Sequence, residues 1–148
     1  MVIKANTQRR EKTAVFFTYP VSWARQHKEF IADVERLRRG LKKMFVVLEA
    51  PSPRALAEMR DKGLIRITDL VRKQLEEVDL VIVYMPTALP SLGVMEEMVL
   101  GKALGKRVFA IVPESIRQRL APFFTAGVDQ VFDSPTDLIR ALESGGKF

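Results

Sequence analysis

The chain has 148 residues, 47% of them hydrophobic and 28% charged, the size and balance of one globular domain with a full core. No apolar run approaches the roughly 20 residues that span a bilayer, and the absence of cysteine excludes disulfides, thiolate catalysis and thiolate metal sites. A net charge of +6 and a pI near 9.8 favour anionic partners such as nucleotides.

Met1 to Lys12 is basic and polar without an apolar h-region, so it reads as a flexible tail or a partner-docking arm, not a secretory signal. Ala14–Thr18 reads as a first strand. Ser22 to Arg39 reads as a helix with an apolar face of Trp23, Phe30, Val34 and Leu37, ended by Gly40. Its Arg36, Arg38, Arg39, Lys42 and Lys43 are the densest basic group, but no aromatic residues interleave with them, which disfavours a nucleic-acid polymer. His27, the only histidine, reads as a solvated residue of this helix, and no zinc-type ligand cluster exists. Met44–Leu48 is a second strand.

Ser52-Pro53 places serine at an N-cap and proline at N1 of a helix ending near Gly63. Another helix runs from about Thr68 to Glu77. Asp79–Met85 is a third strand and Arg107–Val112 a fourth. Val128–Phe132 is a short edge strand. Ser134-Pro135 opens a last helix, with Asp137 in its first turn, and Gly145-Gly146 marks a loose C-terminus. The strands are near-continuously apolar, as expected when both faces are covered. Strand–helix alternation predicts right-handed crossovers and a parallel sheet. The expected fold is one doubly wound, flavodoxin-like α/β sandwich over residues 13–144, with about five strands ordered 2-1-3-4-5. Its ligand site would lie between strands one and three, where strand order reverses. Thr18-Tyr19-Pro20 and Thr87–Val94 should face each other there.

The richest segment follows strand three. Gly93, Glu97, Gly101 and Gly105 recur every four residues and would share one face of a helix. Two readings fit: the glycines clear space for a ligand beside Glu97, or they let the helix pack tightly on the sheet. Ser91 and Gly93 open this helix, where free N–H groups and the dipole favour an anion; Ser91 equally serves as a plain cap. A carboxylate such as Glu97 can attack or stabilise an oxocarbenium-like carbon. Glu96, rotated about 100° around the helix, should face elsewhere.

These residues resemble the nucleoside 2-deoxyribosyltransferase superfamily, closest to its nucleoside 5′-monophosphate N-glycosidase branch. The matching stretch of roughly 30 residues comprises Asp79-Leu-Val-Ile-Val, Pro90-Ser91-Leu-Gly93-Val94, Glu97 and Ala103-Leu-Gly-Lys106 before Val108. The resemblance implies Glu97 as nucleophile and Ser91 as the 5′-phosphate contact, with Gly93, Val94, Thr18 and Tyr19 against the substrate. The implied reaction is attack on C1′ of a (deoxy)ribose, release of the base, and transfer to water or a second base. It implies no metal or organic cofactor, a cytoplasmic small-molecule nucleotide or nucleoside as substrate, and a homo-oligomer, commonly a dimer, in which a neighbouring subunit closes the site.

Two positions depart from the family pattern. Phe17-Thr18-Tyr19-Pro20 replaces a glycine-containing loop, leaving Tyr19 to stack on a base, donate from its hydroxyl or fill the pocket. The family's second acid, eight residues before Asp79, falls on Val71; Asp69 takes that role only with a two-residue shift. The alternative is therefore a non-catalytic nucleotide-binding domain on the same fold. A cytokinin-activating phosphoribohydrolase fits less well, because its Pro-Gly-Gly-x-Gly-Thr signature is absent. Arg117 and Arg119 read either as a solvated helix face or as phosphate ligands for a neighbouring subunit.

Overall fold

A computed structural model describes residues 13–52, 54–55, 57–58, 67–89, 91–120 and 122–145. The expected tail at 1–12, Pro53 at a helix N1, the helix end at Gly63, and Pro90 and Gly146 lie outside them.

Five strands form one parallel sheet. β1 (Ala14–Thr18) is flanked by β2 (Val46–Leu48) and β3 (Leu80–Tyr84), and β4 (Arg107–Ile111) and β5 (Gln130–Phe132) follow, in the order β2-β1-β3-β4-β5. Helices among the described residues include α1 (Val21–Ala24), α2 (Lys28–Lys42), α3 (Ile67–Glu76), α4 (Leu92–Ala103), α5 (Glu114–Arg117), α6 (Pro122–Ala126) and α7 (Pro135–Glu143), and residues 54–55 and 57–58 are helical as well. The fold is the doubly wound sandwich that the alternation of apolar strands and amphipathic helices predicts.

Side chains alternate across each strand. Val15, Phe17, Leu80, Ile82 and Tyr84 therefore face one layer, built on Phe30, Val34, Leu37 and Leu41 of α2 and Leu138 and Leu142 of α7. Phe16, Val81 and Val83 face the opposite layer, with Val71 and Leu75 of α3 and Val94 and Met98 of α4. All five residues of β3 are buried, which fixes the strand that feeds α4.

Several boundaries differ from expectation, each for a local reason. The single helix over 22–39 is two. The Trp23 carbonyl accepts from the Gln26 N–H at 3.1 Å and lies 2.8 Å from His27 Nδ1, and His27 then turns extended as the N-cap of α2. Gly40 does not end α2, which continues to Lys42. A Cβ on Gly40 would lie 3.1 Å from Ile139 Cδ1, so this glycine lets α7 approach. Gly105 is outside α4: at φ +77° it takes the left-handed conformation that closes the helix, with Lys106 N–H on the Gly101 carbonyl and Gly105 N–H on the Lys102 carbonyl, both 2.9 Å. Residues 114–117 form a short helix that includes Arg117 of the helix face read after strand four, and residues 122–126 form another that the pattern did not assign. Ser52 and Ser134 do cap, accepting from the N–H groups of Ala55 at 3.1 Å and Asp137 at 3.2 Å.

Candidate functional site

At the carboxyl ends of β1 and β3 the chain leaves the sheet in opposite directions, and a cleft of about 600 Å³ opens between the departing segments. One wall is Thr18 to Trp23 with Gln26, from the end of β1 through α1. Glu49 and Ala50 border it after β2. The other wall is Thr87, Leu89 and Ser91 to Val94, and Glu97 forms part of the interior.

Glu97 is 9% exposed, and its Oε2 is buried with no hydrogen-bond partner among the described residues. Burial pushes its pKa up to about 7; the Thr18 hydroxyl bond works the other way and Glu96 adds to the rise. Near neutral pH the carboxyl is therefore divided between its two protonation states. Thr18, also buried, ends β1 at this spot because β1 and β3 pair in register up to Thr18–Val83.

The glycine row separates into distinct roles. A Cβ on Gly93 would meet nothing within 4 Å, so the cleft runs up to bare backbone there. A Cβ on Gly101 would lie 2.9 Å from Val81 Cγ2, so that glycine seats α4 on the sheet. Ser91 is the N-cap of α4, its Oγ accepting from the Val94 N–H at 3.5 Å, and the residue also borders the cleft. Val94 is 2% exposed and belongs to the core under α4, touching the cleft from below.

Tyr19 packs against Phe17 and Phe30, with ring centroids 5.4 and 6.1 Å away, and borders the cleft. Its hydroxyl accepts from Arg38 Nη2 at 3.3 Å. Arg38 in turn grips Glu49 with two bonds, Nε to Oε2 at 2.7 Å and Nη2 to Oε1 at 2.8 Å. The Glu49 bonds raise the Arg38 pKa further above its already high value. The network ties α2 and the segments after β1 and β2 together at the cleft edge.

Asp69 stands apart from Glu97. It is exposed on α3 and borders a separate groove with Arg72, Leu92, Met95, Glu96 and Val99, on the far side of α4. The helical period explains this: Val71 and Leu75 of α3 point into the core, and Val71, the position that the family spacing would give to the acid, is 7% exposed and packed. Glu96 faces that groove, away from Glu97, as its rotation predicted. Arg117 is engaged locally, Nε donating to the Val112 carbonyl at 3.1 Å and the guanidinium pairing with Asp133; Arg119 is exposed beyond α5.

Trp23, Gln26 and Glu49 line the cleft and Arg38 holds Glu49 from behind; sequence reasoning selected none of them for the site. The rule that points to the carboxyl ends of the strands, where Thr18 closes β1 and Thr87 follows β3, also reaches Glu49 and Ala50 after β2. The Arg38 contact had no such signal, because it depends on how α2 lies across the sheet. Among the described residues no cluster of three or more His, Asp or Glu is placed to hold a metal, and no helix is long and apolar enough to cross a membrane.

No protein-family model matches the chain, and no curated protein does. Among solved structures it is similar to a conserved protein from Enterococcus faecalis V583, at 18% identity and a TM-score of 0.67, over 90% of this chain and 99% of that one. At that identity the likeness speaks to the fold.

Proposed function

We propose that the protein cleaves the N-glycosidic bond of a (deoxy)nucleoside 5′-monophosphate, or transfers its deoxyribosyl group, with Glu97 as nucleophile. The observation that carries this reading is the unpartnered Glu97 Oε2 in a cleft that reaches bare backbone at Gly93. The Oε2 oxygen has no competing protein donor among the described residues, while the Thr18 hydroxyl bonds the carboxyl group, so one oxygen stays free for C1′. A Glu97 oxygen bonds to C1′ as the C1′–N bond breaks, and the base leaves with that electron pair and takes up a proton. Water or a second base then attacks C1′, frees the Glu97 carboxylate and gives the sugar phosphate or the exchanged nucleotide. The Thr18 hydroxyl favours the ionised carboxylate against the penalty of burial. The anionic end of the substrate would lie at the first turn of α4, near Ser91. These steps require no metal or organic cofactor.

The same reading includes a homodimer and a cytoplasmic nucleotide pool as its setting. Support for the dimer comes from α4, which carries apolar residues on its exposed side as well as on its buried one. Met98 and Val94 face the core, while Leu92 and Val99 are 86% and 43% exposed along the groove beside α3. Leu92 borders both that groove and the cleft, so a second copy seated there would reach the rim of the site.

A non-catalytic nucleotide-binding role is favoured by one observation, the placement of Asp69 outside the cleft, which leaves the departing base without that acid as a proton donor. Chromatography of a panel of ribo- and deoxynucleoside monophosphates separates the readings. Catalysis predicts free base from at least one of them, and a loss of about a thousandfold or more in Glu97→Ala with the fold retained. Nucleotides that raise the melting temperature without being consumed would replace the enzyme with the binding domain.

A further inference from the structure

The wall of the cleft facing α4 carries a feature that the reaction at Glu97 does not use. Trp23, the chain's only tryptophan, is half-buried where α1 gives way to α2 and borders the cleft together with Pro20, Val21 and Gln26. Its ring is already fixed. The His27 imidazole stacks on it at a centroid distance of 3.6 Å and an interplanar angle of 10°, and Phe30 meets it edge-on at 5.2 Å. His27 is itself placed by the contact of its Nδ1 with the Trp23 carbonyl at 2.8 Å. The indole N–H has no hydrogen-bond partner among the described residues, and neither has the exposed Gln26 side-chain amide.

We infer that Trp23 and Gln26 form the wall that holds the planar base of the ligand, an inference that rests on the nucleotide reading above. An indole is a flat apolar surface with one donor at its edge, and a primary amide offers both a donor and an acceptor. Together they match a heteroaromatic ring whose rim carries both kinds of group, and they do not match a bare sugar phosphate. The ring is held in place before any ligand arrives, so little side-chain freedom is lost on binding. With the pentose carbon at Glu97 and the base at Trp23, the ligand lies across the cleft from α4 to α1. The break between α1 and α2, which the helical pattern did not foresee, is what brings Trp23 and Gln26 to this wall.

Because Trp23 is the sole indole, its fluorescence reports on this wall alone. Adenine, adenosine 5′-monophosphate and thymidine 5′-monophosphate, titrated separately, are expected to change its emission saturably, and 2-deoxyribose 5-phosphate is expected to leave it unchanged. Trp23→Ala should weaken binding of the base-containing compounds roughly ten- to hundredfold without altering affinity for 2-deoxyribose 5-phosphate, both read by calorimetry. Trp23→Phe, which keeps a flat ring and the packing against Phe30, should retain most of the affinity and guards against a folding defect in the alanine variant. Unchanged nucleotide affinity in Trp23→Ala, or no emission change with any base, overturns the assignment. Base release with an unaltered KM in Trp23→Ala removes the wall and leaves the glycosidic reading standing. Saturable adenine binding without base release from any nucleotide does the reverse.

Discussion

Gly93 and Gly101 lie two turns apart on α4, yet an added methyl group would find open space at the first and Val81 Cγ2, 2.9 Å away, at the second. The C-terminal half of the helix is held down. Gly101 presses on β3, Gly105 closes the helix in a left-handed turn, and Lys102 Nζ reaches both Asp129 carboxylate oxygens at 2.8 Å. The N-terminal half stands over a cleft, with Leu92 86% exposed and Ser91 as cap. Glu97 sits between them. The fixed end supplies the rigidity that keeps a buried carboxylate aimed at a space it does not fill, and the open end supplies the space. The same residue type serves opposite purposes because what faces it differs: a buried β-branched side chain in one case and solvent in the other.

Filling the fixed end should have a large effect on stability, present at every pH. Val81 is fully buried and β-branched, so it cannot swing away from a new side chain. Gly101→Val is expected to destabilise the fold by about 2–3 kcal/mol, read as a lowered denaturant midpoint. Gly101→Ala should do less harm, because the clash is partly offset by roughly 1 kcal/mol of helix propensity. If Gly101→Val melts like the wild type, the seat of α4 on β3 is not where the helix is held.

The next effect concerns the residue between the halves and is a matter of pH. Glu97 has a pKa of about 7 in the folded protein against an ordinary value of 4.5. Between those values the unfolded chain has released a proton that the folded one still holds, so stability falls as pH rises through this window and levels off above it. The difference corresponds to a cost on the order of 3 kcal/mol at pH 8. Glu97→Gln cannot ionise and escapes that cost. Its melting temperature should exceed that of the wild type by roughly 5–10 °C at pH 8, and the gap should nearly close at pH 4.5. A gap independent of pH would mean that Glu97 is not desolvated. In the enzymatic reading, the same titration makes base release rise with pH through about 7, as the nucleophile ionises.

The contrast between the halves also explains what could be read in advance. β1 to β4 and the place of the cleft follow from apolar runs of four to six residues separated by amphipathic segments, a pattern that backbone hydrogen bonding and right-handed crossovers leave little freedom to satisfy otherwise. The row from Gly93 to Gly101 was visible as spacing, but spacing cannot tell a glycine against Val81 from one against solvent; that depends on the depth at which α4 rests on the sheet. Asp69 and Val71 show the same limit. Two residues change the face of a helix, and packing settled it by burying Val71. Gly40 looked like a stop signal and is a contact point with Ile139, because propensity gives way once two helices cross closely. Trp23 looked like a core residue of a long helix. Its ring does pack on Phe30, but the turn at residues 25–27 also brings it to the cleft.

The smallest effect tests the open end and has two signs at once. Gly93 is the second residue of α4, and its added Cβ would touch nothing within 4 Å. Gly93→Ala should therefore gain about 0.5 kcal/mol from reduced freedom in the unfolded chain and better helix propensity, seen as a small rise in melting temperature. The new methyl group would stand in the space that the pentose needs, so affinity for 2-deoxyribose 5-phosphate should fall severalfold while the fold becomes firmer. Opposite movements of stability and binding in one variant are difficult to produce by general damage, which lowers both. A protein that gains stability and keeps its affinity would show that the hollow beside Gly93 holds only water, and Glu97 would then have no ligand to act on from that side.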